Sequence, residues 1–405
     1  MKLLKFYTDS FRGLSPESWM LALVMLINRS GSMVLPFLGV YMTDQLHFSI
    51  QSAGLVLSLF GTGSVVGSWL GGMATDRFGE FRVQAFSLLL SVPLFCIIPL
   101  FRTEIGLAAI MFVLSSVSEA FRPANSVAIT RYARKENLTR VFSLNRMAVN
   151  LGFSIGPAMG GILSAFSYDL LFYTNAAAAL LAAVTYIAFF RKRTYRNTET
   201  KQENTRKTVQ QLPYKDVKFI IFCVACMIFS VCFFQFLNTL TIFYKEVAEL
   251  SQKQIGFLLG YSGFIIVLME MLLVQMAERN FPLKVTMFLG TLLCGISFAL
   301  LRFDHSLAVL IISMTVLCIG EIWTLPFMAT ITAMRSGIHN KGAYMGLLGI
   351  AFSISFMITP FVGTSVAEKL GFNVLWISTA LIFTLVAIAF YFIVPWMIGK
   401  DEKKN

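Results

Sequence analysis

Two apolar runs that carry charges and prolines, and that occur twice in the chain, constrain this sequence more than any other feature. Residues 118–161 read SEAFRPANSVAIT, then a short basic turn, then VFSLNRMAVNLGFSIGPAMGG. The first run holds Glu119, Arg122 and Pro123, and the second holds Gly152, Gly156, Pro157, Gly160 and Gly161. Pro123 maps onto Pro326, Pro157 onto Pro360 and Gly160 onto Gly363, each 203 residues further on, and Glu119 is echoed one position out of step by Glu321. Duplicated halves whose equivalent spans are interrupted by proline predict two related helical bundles with a solute site between them at mid-membrane.

Composition supports a membrane location. Of 405 residues, 57% are hydrophobic and 13% charged, too much apolar surface for a water-soluble core. Apolar runs able to cross ~30 Å of hydrocarbon number twelve, so an all-α protein of twelve transmembrane helices in two pseudo-symmetric six-helix bundles is expected. The bundles would be residues 1–190 and 218–405, joined by the basic linker 191–217. The short segments on the side of the two termini hold 25 Lys and Arg against 5 on the other side, which predicts both termini in the cytoplasm of a multi-pass inner-membrane protein. The net charge of +12 then lies on a rim facing anionic lipid, which makes membrane lipid the expected partner and argues against nucleic acid. His47, His305 and His339 stand singly in loops and the six cysteines lie in apolar runs, so neither a metal site nor the interfacial cluster of a membrane enzyme is expected. We expect a monomer with no cofactor, driven by a proton gradient.

Gly63, Gly67 and Gly71, like Gly152, Gly156 and Gly160, recur every four residues and predict close helix packing. Pro157 removes a backbone donor and is expected to loosen its helix. Between the second and third runs stands GGMATDRFGEFRV, in which Gly72, Asp76, Arg77 and Gly79 resemble the G-x-x-x-D-R-x-G loop signature of the major facilitator superfamily. The usual two basic residues after the last glycine are here Glu80 and Phe81, with Arg82 one place on. Gly156, Pro157, Gly160 and Gly161 resemble the G-P-x-x-G-G core of that superfamily's antiporter motif. The resemblance implies that Asp76 caps a neighbouring helix terminus and holds one gate state. It also implies alternating-access transport, in closest likeness to twelve-span drug:proton exporters.

Ionisable groups inside spans face a cavity or a partner, because each costs about 2.5 to 3.5 kcal/mol on insertion scales. The first half holds Arg29, Arg122 and Arg146 against Glu119, while the second holds Glu270 and Glu321 with no cation in its spans. Glu119 and Arg122 are three residues apart and can pair on one helix face. For Glu321 and Glu270 two readings stand open: burial favours the neutral acid that a proton carrier needs, or a bridge forms to Arg29 or Arg146. Proton coupling is therefore assigned to Glu321, Glu270 and Glu119, and the substrate cavity to Asn28, Arg29, Arg122, Arg146, Gln235 and Trp323. The expected activity is proton-coupled efflux of amphipathic, drug-like small molecules. The alternative is proton-coupled uptake of peptides or organic anions, since Arg29 resembles the first-span arginine of peptide transporters, although Met25 and Asn28 replace the acids of their motif.

Overall fold

Inside hydrocarbon every backbone N–H and C=O must be satisfied within the chain, so long apolar runs fold as helices. The computed structural model describes residues 7–199, 212–337 and 339–398, with backbone alone at 35, 36, 50, 194–199 and 252, and among them every regular element is helical. Eleven spans are long and apolar enough to cross a membrane. The remaining span comes first in the chain and is built from pieces: Pro16–Ser30, Val34–Val40 and a π-helical turn Tyr41–Gln45. Spans 2 to 6 are Ile50–Phe78, Glu80–Ile97, Glu104–Glu119 with Phe121–Tyr132, Leu138–Ser164, and Asp169–Glu199. Spans 7 to 12 are Val217–Phe233 with Thr239–Glu246, Gln252–Asn280, Leu283–Leu300, Leu307–Ile322 with Leu325–Arg335, Lys341–Leu370, and Phe372–Ile398. Below, the side carrying the termini and most of the Lys and Arg is called the basic face, and the other the far face.

Spans 1, 4, 7 and 10 are all interrupted. Span 4 breaks at Ala120 ahead of Pro123, and span 10 at Trp323 and Thr324 ahead of Pro326, because proline has no N–H for the carbonyl four residues earlier. Span 1 breaks over Gly31–Met33, where a Cβ on Gly31 would stand 2.6 Å from Ala178 Cβ, and span 7 breaks after the 3-10 turn Phe234–Phe236. Pro157 and Pro360, by contrast, sit inside unbroken helices, so the loosening expected at Pro157 does not interrupt span 5.

Span 6 also continues to Glu199, well past position 190, because Arg, Lys and Glu propagate a helix that the apolar segment has nucleated. Residues 200–211 of the expected linker lie outside the described residues. Its end is a 3-10 turn, Pro213–Lys215, and Asp216, whose Oδ1 accepts from the Phe219 N–H at 3.3 Å to start span 7.

Each half has its own core. The C-terminal core is rich in aromatic rings, including Phe219, Phe222, Phe229, Phe298, Phe383 and Trp376. One N-terminal cluster, built on Leu21, Val24, Val141 and Leu144, also takes in Met271, Ala333 and Met345 of the other half, an apolar seal between the halves. Near the basic face span 2 presses on span 11: a Cβ on Gly72 would lie 2.6 Å from the Gly342 carbonyl oxygen, and one on Gly346 would lie 2.7 Å from that of Ser68. These approaches continue to mid-span, where Gly61 meets Met357 and Gly263 meets Ser154. Beyond them, at Gly54, Gly256 and Gly260, a Cβ would meet nothing within 4 Å. The halves therefore close at the basic face and part toward the far face.

Candidate proton and substrate site

The loop after span 2 meets span 11 at the basic face. Gly79 at φ +85° lies in the left-handed region that favours glycine, and it turns the chain into span 3. The turn leaves Asp76 at the end of span 2 facing the start of span 11. Both Asp76 oxygens accept backbone bonds there, from Gly342 N–H at 2.6 Å and Ala343 N–H at 2.7 Å. A carboxylate on the first N–H groups of a helix satisfies donors that have no partner within the helix and meets the positive end of its dipole. Arg77 turns outward, over the Phe78 ring at 5.3 Å. Gly72 supplies the space that this contact requires.

The antiporter-like glycines do a different job. A Cβ on Gly152 would stand 2.6 Å from Arg29 Cβ, and one on Gly156 would crowd the carbonyls of Arg29, Ser30 and Ser32. Gly160 meets Met33 and Phe37, while Gly161 only touches Phe37. This glycine face of span 5, with Pro157 inside the helix, packs on span 1 where span 1 breaks, within one half.

Between the halves, Arg146 of span 5 reaches span 10 with both of its terminal nitrogens. Nη2 donates to Glu321 Oε1 at 2.6 Å and Nη1 to the Glu321 carbonyl at 3.0 Å. The same Nη2 is 3.6 Å from Glu270 Oε2 on span 8. Glu270 has no exposed surface, and its carboxylate oxygens lack an aligned hydrogen bond, with the Ser143 hydroxyl lying beside them. Of the two readings left open for these acids, the structure shows the bridge, and it selects Arg146 over Arg29. The group carries one cation and two acids, so its net charge is −1 when all are ionised and zero when one acid holds a proton.

Glu119 and Arg122 do pair, Oε2 to Nε at 3.1 Å, yet Glu119 Oε2 lacks an aligned hydrogen bond. Arg29 lies near both charges, its guanidinium 5.7 Å from the Phe153 ring, and its Nε has no hydrogen-bond partner. Asn28 precedes it at the same break and is half-buried. Gln235 and Trp323, expected in the cavity, are instead engaged inside the C-terminal half. Gln235 is buried, accepts from Thr239 and lies against Gly363, while Trp323 Nε1 donates to the Leu273 carbonyl at 3.1 Å. A bond to span 8 turns Trp323 inward, and a bond within span 7 holds Gln235.

Sequence reasoning missed several groups. Arg140 pairs with Glu278 across the halves at 3.3 Å, and the Lys341 ammonium reaches Thr130 at 3.4 Å, both near the basic face. Asn150, one turn from Arg146 on the same face of span 5, has a buried Nδ2 with no partner. Outside the membrane, Asp216 binds Arg335 Nε at 2.7 Å and the Tyr344 hydroxyl at 2.9 Å. Burial pushes the Asp216 carboxyl up, but these bonds together with the Phe219 N–H outweigh it and hold the acid below its ordinary value. In the other half Glu80 pairs with Arg131. The unusual acid after Gly79 was the one sequence signal for that pair.

Comparison with known proteins agrees with this architecture. The chain is similar to the uncharacterized transporter YqjV of Bacillus subtilis, 22% identical over 89% of this chain and 88% of that protein. It is 22% identical to a Na(+), Li(+), K(+)/H(+) antiporter of Planococcus maritimus over 94% and 95% of the two chains. Multidrug resistance protein 1 of Bacillus subtilis is 24% identical over 79% and 82%. Among solved structures, a bacterial homologue of the iron transporter ferroportin in an outward-facing state matches with a TM-score of 0.76 at 13% identity, over 93% of this chain and 99% of that one. The human organic anion transporter MFSD10 matches at 0.72 with 14% identity, over 93% and 100%. The model of the Major Facilitator Superfamily matches residues 20–282 and 248–404, and with two helical halves that close at the basic face and part toward the far face, this chain belongs to that superfamily.

Proposed function

We propose that this transporter is proton-coupled and exports amphipathic small molecules across the plasma membrane by alternating access, with the basic face in the cytoplasm. The observation that carries the reading is one arginine shared by two buried acids across the seam between the halves. In the state described here the cleft opens to the far face, and Arg146 ties span 5 to spans 8 and 10 on its closed side. A proton arriving from outside neutralises one acid and weakens the tie. The basic face can then part, and the proton leaves on the cytoplasmic side as solute enters. Glu321 is well satisfied by Arg146, whereas the Glu270 oxygens lack an aligned hydrogen bond and have only the Ser143 hydroxyl beside them, so Glu270 is the better carrier in this state. The named antiporter and multidrug-resistance relatives support export.

Uptake of peptides or organic anions is the second reading, favoured by the unpaired Arg29. Orientation separates the two. In everted vesicles an exporter accumulates solute against an acid interior, and in right-side-out vesicles an importer does so when the medium is acid. Proton release on addition of that solute to purified protein tests the carrier: it should vanish in Glu270→Gln and persist in Glu119→Gln. Release lost in Glu321→Gln alone moves the role to Glu321, and release unchanged in both rejects proton coupling at this group.

A further inference from the structure

Span 1 breaks at Gly31, two residues after Arg29, and this cation beside the break has no acid of its own. Its buried Nε has no hydrogen-bond partner, and among the described residues no carboxylate lies within 4 Å of the guanidinium. The neighbouring charges are Arg122 and Glu119, and Glu119 is already engaged by Arg122. Two cations and one acid leave the cluster with a net charge of +1. The Arg122 side chain is 41% exposed. A guanidinium so exposed near the middle of a span is costly against lipid, so its open side faces the cleft between the halves. The acids of the other half cannot neutralise the cluster, because both are tied to Arg146.

A cation at this depth with unused donors calls for an anion, and a guanidinium matches a carboxylate with two parallel bonds. We infer that Arg29 and Arg122 bind the negatively charged head of the transported solute, and that the substrates are amphipathic monoanions, carboxylates above all. The inference rests on the transport reading and names its substrate class. Arg29 is the principal contact, since it has no internal partner to give up. Glu119 competes with the solute for Arg122 and weakens binding. The Phe153 ring beside Arg29 offers an apolar surface to the rest of the molecule.

Binding without any gradient tests this. Thermal unfolding of the purified full chain in detergent would be followed with matched pairs of equal apolar body and opposite charge: hexanoate against hexylamine, and indole-3-acetate against tryptamine. At least one acid should stabilise the protein saturably, and its amine should not. Arg29→Gln should weaken that binding roughly ten- to a hundredfold, the cost of a lost charged hydrogen bond, and Arg29→Lys should restore part of it. Glu119→Gln should tighten it, because the cluster then carries +2, a direction that mere disruption of the fold would not produce. Equal stabilisation by acid and amine, no stabilisation by either acid, or weakening in Glu119→Gln would each overturn the assignment. Selective acid binding by a protein inert in vesicles would sink the transport reading alone. Transport driven by a pH gradient with no preference for acids would sink this inference alone.

Discussion

The two halves share a plan but handle charge in opposite ways. In the N-terminal half, Glu119 and Arg122 find each other within one helical turn, and the surplus cation Arg29 is left at the cleft. In the C-terminal half, Glu270 and Glu321 have no cation within four residues on their own helices and take one from the other half. Symmetric folding from duplicated sequence therefore yields an asymmetric device, in which one half keeps its charges and the other can pair its acids with a cation only while the halves are closed at the basic face. Nearer the surface both halves pair internally, but with acids from different places. Arg131 and Arg335 end equivalent spans, yet Glu80 at the start of span 3 holds the first, while Asp216 ahead of span 7 holds the second.

The sharpest way to break this comparison is to remove the shared cation. Arg146→Gln leaves two buried acids without their cation and should destabilise the protein by about 3 to 5 kcal/mol in denaturant unfolding at pH 8. Adding Glu270→Gln and Glu321→Gln should return most of that loss. A single variant as stable as wild type would show that the bridge does not hold the halves.

Next come the glycines, which separate contacts within a half from contacts between halves. Gly152→Val drives a branched side chain into Arg29 and should cost about 1 to 3 kcal/mol of stability. Gly72→Val should leave each half folded but prevent closure at the basic face, read as raised labelling of a cysteine introduced at Ser68. Equal effects of both substitutions on unfolding would erase the distinction.

Asp76→Asn is a gentler probe of the same closure. It keeps one acceptor but loses the charge at the start of span 11, worth about 0.3 to 2 kcal/mol. The balance between open and closed basic face should shift several-fold in distance measurements between labels on spans 2 and 11. An unchanged distribution would remove Asp76 from the gate.

The smallest effect concerns pH. Asp216 is held below its ordinary value of 3.8, so its bonds add stability above that value, and the contribution disappears as pH falls through the lower folded-state value. Asp216→Asn should therefore lower stability at neutral pH and flatten its dependence below about pH 4. An identical acid profile in wild type and variant would remove Asp216 from that dependence.

Much of the fold was legible because its determinants are local. Span length follows from hydrocarbon thickness, and the breaks at Ala120 and at Trp323–Thr324 follow from Pro123 and Pro326 a few residues on. Span 1 carries the same kind of signal, since Pro36 leaves the Ser32 carbonyl in its break without a donor, but the close packing of Gly31 against Ala178 in span 6 was not legible. Pro157 shows the converse: a local signal for loosening was overridden where span 5 packs on span 1.

The site divides in the same way. Sequence alone determined which charges lie deep inside the apolar runs, that Glu119 and Arg122 can pair, and that the second half has no cation at that depth. These follow from composition and from spacing within one helical turn. Tertiary structure decided that Arg146 and not Arg29 meets Glu321, 175 residues away, that Glu270 shares it, and that Gln235 and Trp323 turn inward. A partner on another helix depends on the depth and rotation of both helices. A shift of one residue turns a side chain by about 100°, and only the packed glycine faces and the interrupted spans set that register.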